Sequence, residues 1–482
     1  MKGLNREQKK AAGFTNGIAA VIAVPGSGKT LVMMERIGNL VKRYNVQPET
    51  IIGLTFNRNA AEQMRQRLVP VLGELAQRVT LSTIHSWCHY LLRTEGRVFE
   101  IISGKEQISM IRNLMKRKRL DLSVGTILSE ISLAKNNLIG VEEFRILYES
   151  DKAMTKVANI YESYEKEKAK KYLLDFDDLL LETYFLLSNN DAVREKYAGR
   201  YHHILIDEFQ DTNPVQLEII KLIVDADNNN DKSYWIAGDD WQSIYSFAGA
   251  SVNNILNFQS TFSSSTLFIL NINYRSTPQI LKACQNLIAH NVRKIEKTLK
   301  TDNPGGDEVI VLESSSEEGE ALCLVNEIHD LVGQRGYRYK DIAVLYRANF
   351  QSRVVEETFA QMKIPYYIEN GLNFYQRSEV RYLLDYLRLI NDPDSEEGDE
   401  ALRSILNVPN RYISRKFLQE LAEFSGKTNV HLFEGLKSMP VDLPYIRKNV
   451  KDFISFISPL ADYSSNLEPS EVIQMIRSQL DY

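Results

Sequence analysis

The chain has 482 residues, which is more than one hydrophobic core usually serves, so its length predicts three or four domains or subdomains. Its 44% hydrophobic and 25% charged residues are typical of a globular protein, and its net charge of −5 excludes a global basic field, so any nucleic-acid surface must be a local patch. The absence of a signal peptide, of about 18 consecutive apolar residues and of metal-ligand spacing among the three cysteines predicts a protein of the reducing cytoplasm without a membrane span.

A phosphate-binding loop is predicted between a buried strand and a helix. The apolar run Ala19–Val24 is typical of a strand, and apolar residues at helical spacing follow the loop. The loop residues are Pro25, Gly26, Ser27, Gly28, Lys29 and Thr30. Glycines let backbone N–H groups surround a phosphate, while the lysine and threonine can reach the terminal phosphates and Mg²⁺. Ala23 replaces the first glycine of the strict motif, and a chance glycine-rich turn is the alternative.

Further side chains that suit nucleotide or DNA contacts lie beside the first strands. Gln8 can donate to and accept from an adenine edge, although a solvated helix residue is the alternative. A second buried strand is predicted at Ile51–Phe56 and a helix at Asn59–Leu68. A third strand within residues 78–92 leads to an exposed His85, which suits phosphate contacts, although a lone histidine is more often structural.

Long helical periodicity from about residue 90 to 198 predicts an inserted helical domain. The basic run Arg112–Arg119 and the mixed run Glu165–Lys171 are expected to be solvated helix faces, with a DNA-facing patch as the alternative for the first run. The acidic stretch Leu174–Leu181 suggests no metal site.

The α/β pattern returns with an apolar strand, His203–Ile206, that ends in two carboxylates. At the end of a buried parallel strand, Asp207 can hold the Mg²⁺ shell, and Glu208 can orient or deprotonate an attacking water. An ordinary strand-end acidic pair is the alternative. Together with the phosphate loop, however, this pair predicts a nucleotide-hydrolysing core.

The stretch Ser233–Ala250 has the same pattern of an apolar strand followed by acidic residues, here Gly-Asp-Asp. Gln242 follows them, and it can sense a γ-phosphate. Tyr245 and Phe247 are two residues apart and could line one face of an extended segment on which bases stack, although most aromatic residues belong to a core.

Another strand is predicted in Leu267–Thr277, which ends in Tyr274 and Arg275. The tyrosine could stack on a purine ring, and the arginine could reach a phosphate.

A second α/β unit is predicted from Pro278 onward. Its strands are expected at Glu308–Ser314, Asp341–Ala348 and Ile364–Glu369, with a helix, Glu317–Gly333, between the first two. From Gly371 to the last residue the pattern is helical again.

Taken together, these stretches resemble superfamily 1 DNA helicases of the UvrD/Rep/PcrA type. The matching segments, in family order, are LNREQ, AVPGSGKT, TFNRNAAEQM, STIHS, IDEFQDTN, AGDDWQSIYSFAGA and NYRST, and GLNFYQRSEVRYLLDYLRLI resembles the start of the family's second insert. The resemblance covers nearly the whole chain. It implies an α/β P-loop NTPase fold in which two RecA-like motor domains carry helical inserts, ATP binds between them and single-stranded DNA crosses the top.

The implied organisation has five segments. These are residues 1–89 and 199–277 for the first motor domain, 90–198 for its helical insert, 278–370 for a partial second motor domain, and 371–482 for a truncated second insert.

The resemblance also implies roles for individual residues. It implies nucleotide contacts for Gln8, Pro25, Gly26, Ser27, Gly28, Lys29, Thr30 and Tyr274, catalytic roles for Lys29, Asp207, Glu208, Gln242 and Arg275, metal ligation by Thr30 and Asp207, and DNA contacts for Phe56, Asn57, His85, Tyr245 and Phe247. In this scheme Glu208 is the base, and Gln242 and Arg275 contact the γ-phosphate. Ala248 stands where relatives usually have arginine, and Leu31 where they often have a cation, so each weakens one contact.

The family's last two motifs, T-x-H-x-x-KG-L-E and V-A-x-T-R-A, do not occur. We therefore expect an incomplete second motor domain with an unpaired sheet edge, and slow hydrolysis because one phosphate-facing arginine is missing. Either the chain is a fragment of a longer helicase, which we favour, or a separate polypeptide supplies the missing motifs.

The sequence thus predicts an ATP- and Mg²⁺-dependent 3′-to-5′ DNA helicase or translocase of DNA repair, acting on single-stranded DNA and single/double-strand junctions. The polarity and the repair role come from the resemblance alone. The alternative is a nucleotide-gated DNA-binding or regulatory subunit without unwinding activity, which Ala248 and the absent motifs favour. A generic P-loop NTPase acting on protein or RNA leaves GDDWQSIYSFAGA unexplained.

Overall fold

A computed structural model describes residues 3–118, 122–225, 232–368, 378–463 and 468–480. The chain forms two compact units, Met1–Ile310 and Val311–Tyr482. Within the described ranges, no helix combines the length and the apolar character needed to cross a membrane.

The described residues of the first unit form eight strands. They are β1 (Gly17–Ala23), β2 (Ile51–Thr55), β3 (Thr80–Thr83), β4 (Glu100–Ile101), β5 (Leu173–Leu174), β6 (His203–Ile206), β7 (Ser233–Gly238) and β8 (Thr266–Leu270). Six of them form one parallel sheet in the order β3-β2-β6-β7-β1-β8, and β4 pairs with β5. The predicted α/β fold with strands at these positions is confirmed for this unit.

Helices cover both faces of this sheet, which is why its strands appear in the sequence as continuous apolar runs. Successive side chains of β1 point to opposite faces: Ala20 and Ile22 pack in one core, and Ala19 and Val21 pack in the other. The helices of this unit are α1 (Arg6–Ala12), α2 (Lys29–Tyr44), α3 (Arg58–Leu72), α4 (Ile84–Thr94), α5 (Gly104–Lys118), α6 (Val124–Asn136), α7 (Val141–Leu147), α8 (Lys152–Lys170), α9 (Phe176–Asn189), α10 (Asp191–Arg200), α11 (Pro214–Asp225), α12 (Asn253–Leu256), α13 (Phe258–Thr261) and α14 (Pro278–Ala289).

The stretch predicted as a helical insert, residues 90–198, contains the end of α4, helices α5 to α10 and the two short strands β4 and β5. Helices α5 to α8 share a core of their own around Ile111, Ile127 and Val157. In the basic run, Arg112 and Arg117 are exposed as expected, while Arg119 lies outside the described residues.

The mixed run Glu165–Lys171 is not simply a solvated face, because Lys168 is buried together with Lys135 of α6. The Lys135 ammonium lies 2.8 Å from Glu165, 2.8 Å from Asp175 and 2.6 Å from Asp178, and Lys168 contacts the same three carboxylates. Those carboxylate oxygens lie within 4.8 Å of one another, a spacing that suits a cation, and here the two ammonium groups supply the positive charge. Sequence periodicity could not reveal this network because its partners come from three helices.

Residues 278–310 fold with the first unit, whereas the sequence predicts that a second unit begins at Pro278. Ile272 and Lys300 form a parallel bridge, and Leu281 and Leu299 pack against Val24. The segment after α14 therefore returns to the edge of the sheet where the phosphate loop lies.

The second unit is mainly helical. Its helices are α15 (Glu317–Gly333), α16 (Ser352–Gln361), α17 (Ser378–Asn391), α18 (Glu396–Ile405), α19 (Arg415–Thr428), α20 (Leu432–Ser438), α21 (Pro444–Tyr463) and α22 (Pro469–Leu480). Helices α17 to α22 enclose a core that includes Tyr386, Leu402, Leu421 and Phe453. The predicted helix Glu317–Gly333 and the helical C-terminal part are confirmed, with residues 371–377 outside the described ranges.

The predicted strands of this unit are wrong. Glu308–Ser314, residues 342–348 and residues 364–368 are not strands, and Glu369 lies outside the described residues. Several of their apolar side chains are exposed, reaching 81% at Val311 and 93% at Leu345, while Ile364 is buried in a small core. An apolar pattern indicates that a segment can form a strand, but a strand also needs a backbone partner, and no described residue supplies one.

Replacement of Lys135 by methionine should destabilise the helical insert. It would leave the buried carboxylates of Asp175 and Asp178 and the half-buried Glu165 facing one ammonium group, and breaking a buried ion pair costs about 3–5 kcal/mol. Lys166→Met, which removes an exposed partner of Glu162, should cost no more than about 0.5 kcal/mol. Urea unfolding followed by far-UV circular dichroism measures both changes. Equal midpoints for the two variants would contradict a stabilising role for the network.

Candidate nucleotide and nucleic-acid site

The loop between β1 and α2 forms an anion cradle from its backbone. Gly26 and Gly28 have φ angles of 65° and 82°, which favour glycine. A Cβ atom at Gly26 would lie 2.7 Å from the Asn273 amide nitrogen and 2.8 Å from the Arg275 Cβ. Because α2 begins at Lys29, its free N–H groups face the loop, an arrangement that suits phosphate.

The structure brings together the predicted lysine and carboxylates. The Lys29 Nζ lies 3.1 Å from the Glu208 Oε2, and the Thr30 hydroxyl donates to the Asp207 Oδ2 at 2.8 Å. Burial alone would lower the pKa of Lys29, but the neighbouring carboxylates, Glu208 foremost, outweigh it, so this pKa is raised. The lysine is therefore a permanent cation at the base of the cradle.

Several buried oxygens of this site have no hydrogen-bond partner, as expected where a ligand would supply one. They are the Ser27 Oγ, the Thr55 Oγ1 and the Asp211 Oδ1. Burial, reinforced by the charge of Glu208, raises the pKa of Asp207 to about 6 and that of Asp211 to about 7. Unsatisfied oxygens and under-compensated carboxylates fit a phosphate-bound Mg²⁺, which takes oxygen ligands.

Two amide side chains that sequence reasoning missed connect the elements of the site. The Gln210 Nε2 donates to the Glu208 Oε2 at 2.9 Å, while its Oε1 accepts from the Asp239 N–H at 2.9 Å. The Asn273 Nδ2 donates to the Pro25 carbonyl at 2.6 Å, and its Oδ1 accepts from the Arg275 N–H at 2.8 Å. Gln210 lies in the matching segment IDEFQDTN and Asn273 in NYRST. Their position in these segments is the only feature of the sequence that could have identified them as site residues.

The predicted γ-phosphate residues lie on two loops at the same edge of the sheet. The Gln242 Nε2 donates to the Asp239 Oδ2 at 2.6 Å, and Arg275 is exposed beside the phosphate loop. The backbone N–H of Tyr274 donates to the Gly26 carbonyl at 3.0 Å. Their contacts with a phosphate remain predictions.

The predicted adenine residues, Gln8 and Tyr274, both lie against the phosphate loop. Gln8 is only 4% exposed, so it is not a solvated helix residue. Its amide donates to the Ser27 carbonyl at 2.8 Å and accepts from the Asn5 N–H at 2.9 Å. The Asn5 amide in turn donates to the Tyr274 hydroxyl at 2.8 Å. Gln8 and Tyr274 are thus linked through Asn5, and adenine contact stays a prediction.

Three predicted DNA-binding aromatics form one row. The ring centroids of Phe56 and Tyr245 are 4.7 Å apart, and those of Tyr245 and Phe247 are 6.0 Å apart. Phe247 is 66% exposed, which excludes a core role for it. The expectation of an extended segment is wrong, because residues 246–248 form a 3₁₀ turn, yet the rings are still neighbours.

Asn57, which is also predicted to contact DNA, is exposed. Its side chain caps α3 by accepting a hydrogen bond from the Ala60 N–H at 2.8 Å.

The expectation of an exposed His85 at a strand end is wrong. This residue lies in the first turn of α4 and is half-buried, and burial lowers its pKa to about 4. It lines a small cavity with Thr55, Phe56 and Asp211. A neutral imidazole can hydrogen-bond a phosphate but cannot pair with it by charge.

The raised pKa of Asp211 predicts a pH-dependent stability of the ligand-free protein. Because the folded state binds this proton more tightly, the stability it contributes is present below about pH 4 and is lost as pH rises towards 7. In the presence of a chelator, the melting temperature of Asp211→Asn should be about 2–4 °C above that of the wild type at pH 8. Near pH 4.5 the two melting temperatures should be the same. The exposed Asp442→Asn serves as a control that should track the wild type throughout. A constant difference between Asp211→Asn and wild type would contradict the raised pKa.

Comparison with known proteins agrees with this geometry. The family model of the UvrD/REP helicase N-terminal domain matches residues 4–263, and that of the UvrD-like helicase C-terminal domain matches residues 268–459. The ATP-dependent DNA helicase PcrA of Staphylococcus epidermidis is 35% identical over 496 residues, covering 100% of this chain and 66% of the relative. The PcrA proteins of Bacillus subtilis and Staphylococcus aureus are 33% and 32% identical, with 100% and 99% of this chain and 66% of each relative covered. The chain therefore spans 66% of the length of these relatives and belongs to the UvrD/REP helicase family.

Proposed function

We propose that this chain provides the nucleotide site and much of the DNA track of an ATP-dependent DNA helicase that moves 3′ to 5′ on single-stranded DNA. The observation that carries the proposal is one sheet edge that holds both the Lys29–Glu208 pair and the row Phe56–Tyr245–Phe247. The similar PcrA proteins are named ATP-dependent DNA helicases, which supports the same chemistry here.

In this proposal, the loop N–H groups and Lys29 bind the phosphates of ATP. Thr30 and Asp207 would hold Mg²⁺, which when bound neutralises charge on the transferred phosphoryl group. In the ligand-free protein the ammonium of Lys29 is paired with Glu208. An incoming phosphate competes for this ammonium, and the freed carboxylate of Glu208 can then orient a water or accept its proton.

The aromatic row lies close enough to the nucleotide site to respond to it. Phe56 directly follows β2, and β2 pairs with β6, which leads into Asp207 and Glu208. Tyr245 follows β7, which leads into Asp239. A change in the packing of these strand ends would therefore alter the spacing of rings on which bases stack.

A nucleotide-gated DNA-binding subunit is the second candidate, and one observation favours it. The apolar segments at 308–314 and 342–348 form no strands, and several of their apolar side chains are exposed, so a sheet built from them would need strands from elsewhere. We infer that the second motor domain is incomplete within the described residues. A strand-displacement assay separates the two candidates, since unwinding by the chain alone excludes the second.

Glu208→Gln should abolish turnover while nucleotide binding is retained, because glutamine keeps the shape but cannot accept a proton. We expect phosphate release in the presence of single-stranded DNA to fall by about 10²–10⁴-fold. Glu218→Gln, a matched change of an accessible carboxylate on α11, should leave the rate unchanged. Binding of a fluorescent ATP analogue confirms that the site is intact. Near wild-type hydrolysis by Glu208→Gln would remove this residue from the reaction.

Alanine at Tyr245 or Phe247 should weaken binding of single-stranded DNA by about 1–3 kcal/mol each, the value of one stacked base. Tyr44→Ala is a control, because this exposed ring is at the far end of α2, about 22 Å along the helix from Lys29. Fluorescence anisotropy with an oligothymidine measures the affinities. If the three variants bind alike, the row is not part of the DNA track.

A further inference from the structure

Lys297 is a buried cation that none of the matched motifs contains. It lies after α14, in the segment that returns to the first unit, and its side chain is 0% exposed. The ammonium donates to the Asp239 Oδ1 at 2.6 Å, to the Asp240 Oδ1 at 2.7 Å and to the Ala23 carbonyl at 3.2 Å. All three of its N–H donors are therefore satisfied.

Each of these acceptors belongs to a strand end that leads into the nucleotide site. Ala23 is the last residue of β1, just ahead of the phosphate loop, and Asp239 directly follows β7. The ammonium also lies 4.5 Å from the ring of Trp241. Asp240 has a second contact with the same segment, because its Oδ2 accepts a hydrogen bond from the Ile295 N–H at 2.7 Å. Lys297 thus fastens β1 and β7 to each other at their carboxyl ends.

The contact extends to the predicted γ-phosphate residue. While the Oδ1 of Asp239 faces Lys297, its Oδ2 accepts the Gln242 amide at 2.6 Å. Asp239 is 0% exposed, so without the ammonium it would be a buried charge with too few partners. Its carboxylate would then turn toward the remaining cation, Lys29, whose pKa it already raises.

The same segment supports the turn that carries Arg275. The Asn273 N–H donates to the Lys300 carbonyl at 2.7 Å, and the Asn303 amide donates to the Ser276 carbonyl at 3.0 Å. A single stretch of chain, residues 297–303, therefore contacts both loops that are predicted to meet the γ-phosphate.

We propose that Lys297 is a positioning residue for γ-phosphate recognition, acting through Asp239 on Gln242. The inference rests on the proposed function, since it assumes that Gln242 meets the third phosphate of ATP. ADP lacks that phosphate, so loss of Lys297 selectively weakens binding of ATP. A role in folding alone would weaken both nucleotides equally.

The test compares the affinities of the full 482-residue chain for a non-hydrolysable fluorescent ATP analogue and for the corresponding ADP. In Lys297→Met we expect the ratio of the two affinities to fall about tenfold, the value of one charge-assisted contact, with ADP affinity within about twofold of wild type. Lys282→Met, which changes an exposed lysine of α14, should keep the wild-type ratio. Adding Lys297→Met to Gln242→Ala should change the ratio no further, because both act on one contact.

An unchanged ratio, or equal losses for ATP and ADP, overturns the proposal. If Lys297→Met does not fold, the double variant Lys297→Met/Asp240→Asn, which removes one charge of each sign, replaces it in the same comparison. A fall in the ratio of ATP to ADP affinity would again support the proposal, and an unchanged ratio or equal losses would overturn it. The wild-type chain separates this outcome from failure of the proposed function. If the proposed function is wrong, the wild type binds neither nucleotide. If only the role of Lys297 is wrong, the wild type still distinguishes ATP from ADP.

Discussion

The ion pair between Lys29 and Glu208 is the interaction on which the candidate site depends. These side chains follow β1 and β6, and the sheet order leaves only β7 between the two strands. A charge withdrawn from water needs a partner, so the pair holds two separate loops in one arrangement. Glu208 adopts a φ of 52°, a conformation that costs a non-glycine residue about 1–2 kcal/mol. The attraction of Lys29 offsets that cost.

The charges around this pair are unbalanced in the ligand-free protein. Five carboxylates cluster here against the buried ammonium groups of Lys29 and Lys297, and they are those of Asp207, Glu208, Asp211, Asp239 and Asp240. This excess, through the charge of Glu208, adds to burial, which is the main cause of the raised pKa values of Asp207 and Asp211. It also opposes an anionic nucleotide that arrives without a counterion, so the cradle accepts a triphosphate best when a divalent cation accompanies it.

The sequence predicted the parts of the site that local chemistry determines. A glycine-rich loop between strand and helix, and carboxylates at a strand end, have to meet once the strands are parallel neighbours. Gln210, Asn273 and Lys297 were missed because each of them bonds to at least one partner far away in the sequence, and hydrophobic periodicity carries no such information. The half-buried His85 and the buried Lys168 were misjudged for the same reason, since neighbours from other elements decide their burial. The prediction of strands in the second unit was wrong because strand pairing depends on partners that no local pattern specifies.

The helical insert meets the motor core where the two functional loops end. The Asn213 amide, which closes the loop that carries Glu208, donates to the Asn136 Oδ1 of α6 at 2.6 Å. Gly249 follows the aromatic row with a φ of 86°, and a Cβ there would lie 3.1 Å from the Asn136 amide nitrogen. Only a glycine lets this turn pack so closely on α6. Nucleotide loop, aromatic turn and insert therefore share one buried amide, and none of the three can shift without changing a contact of the other two.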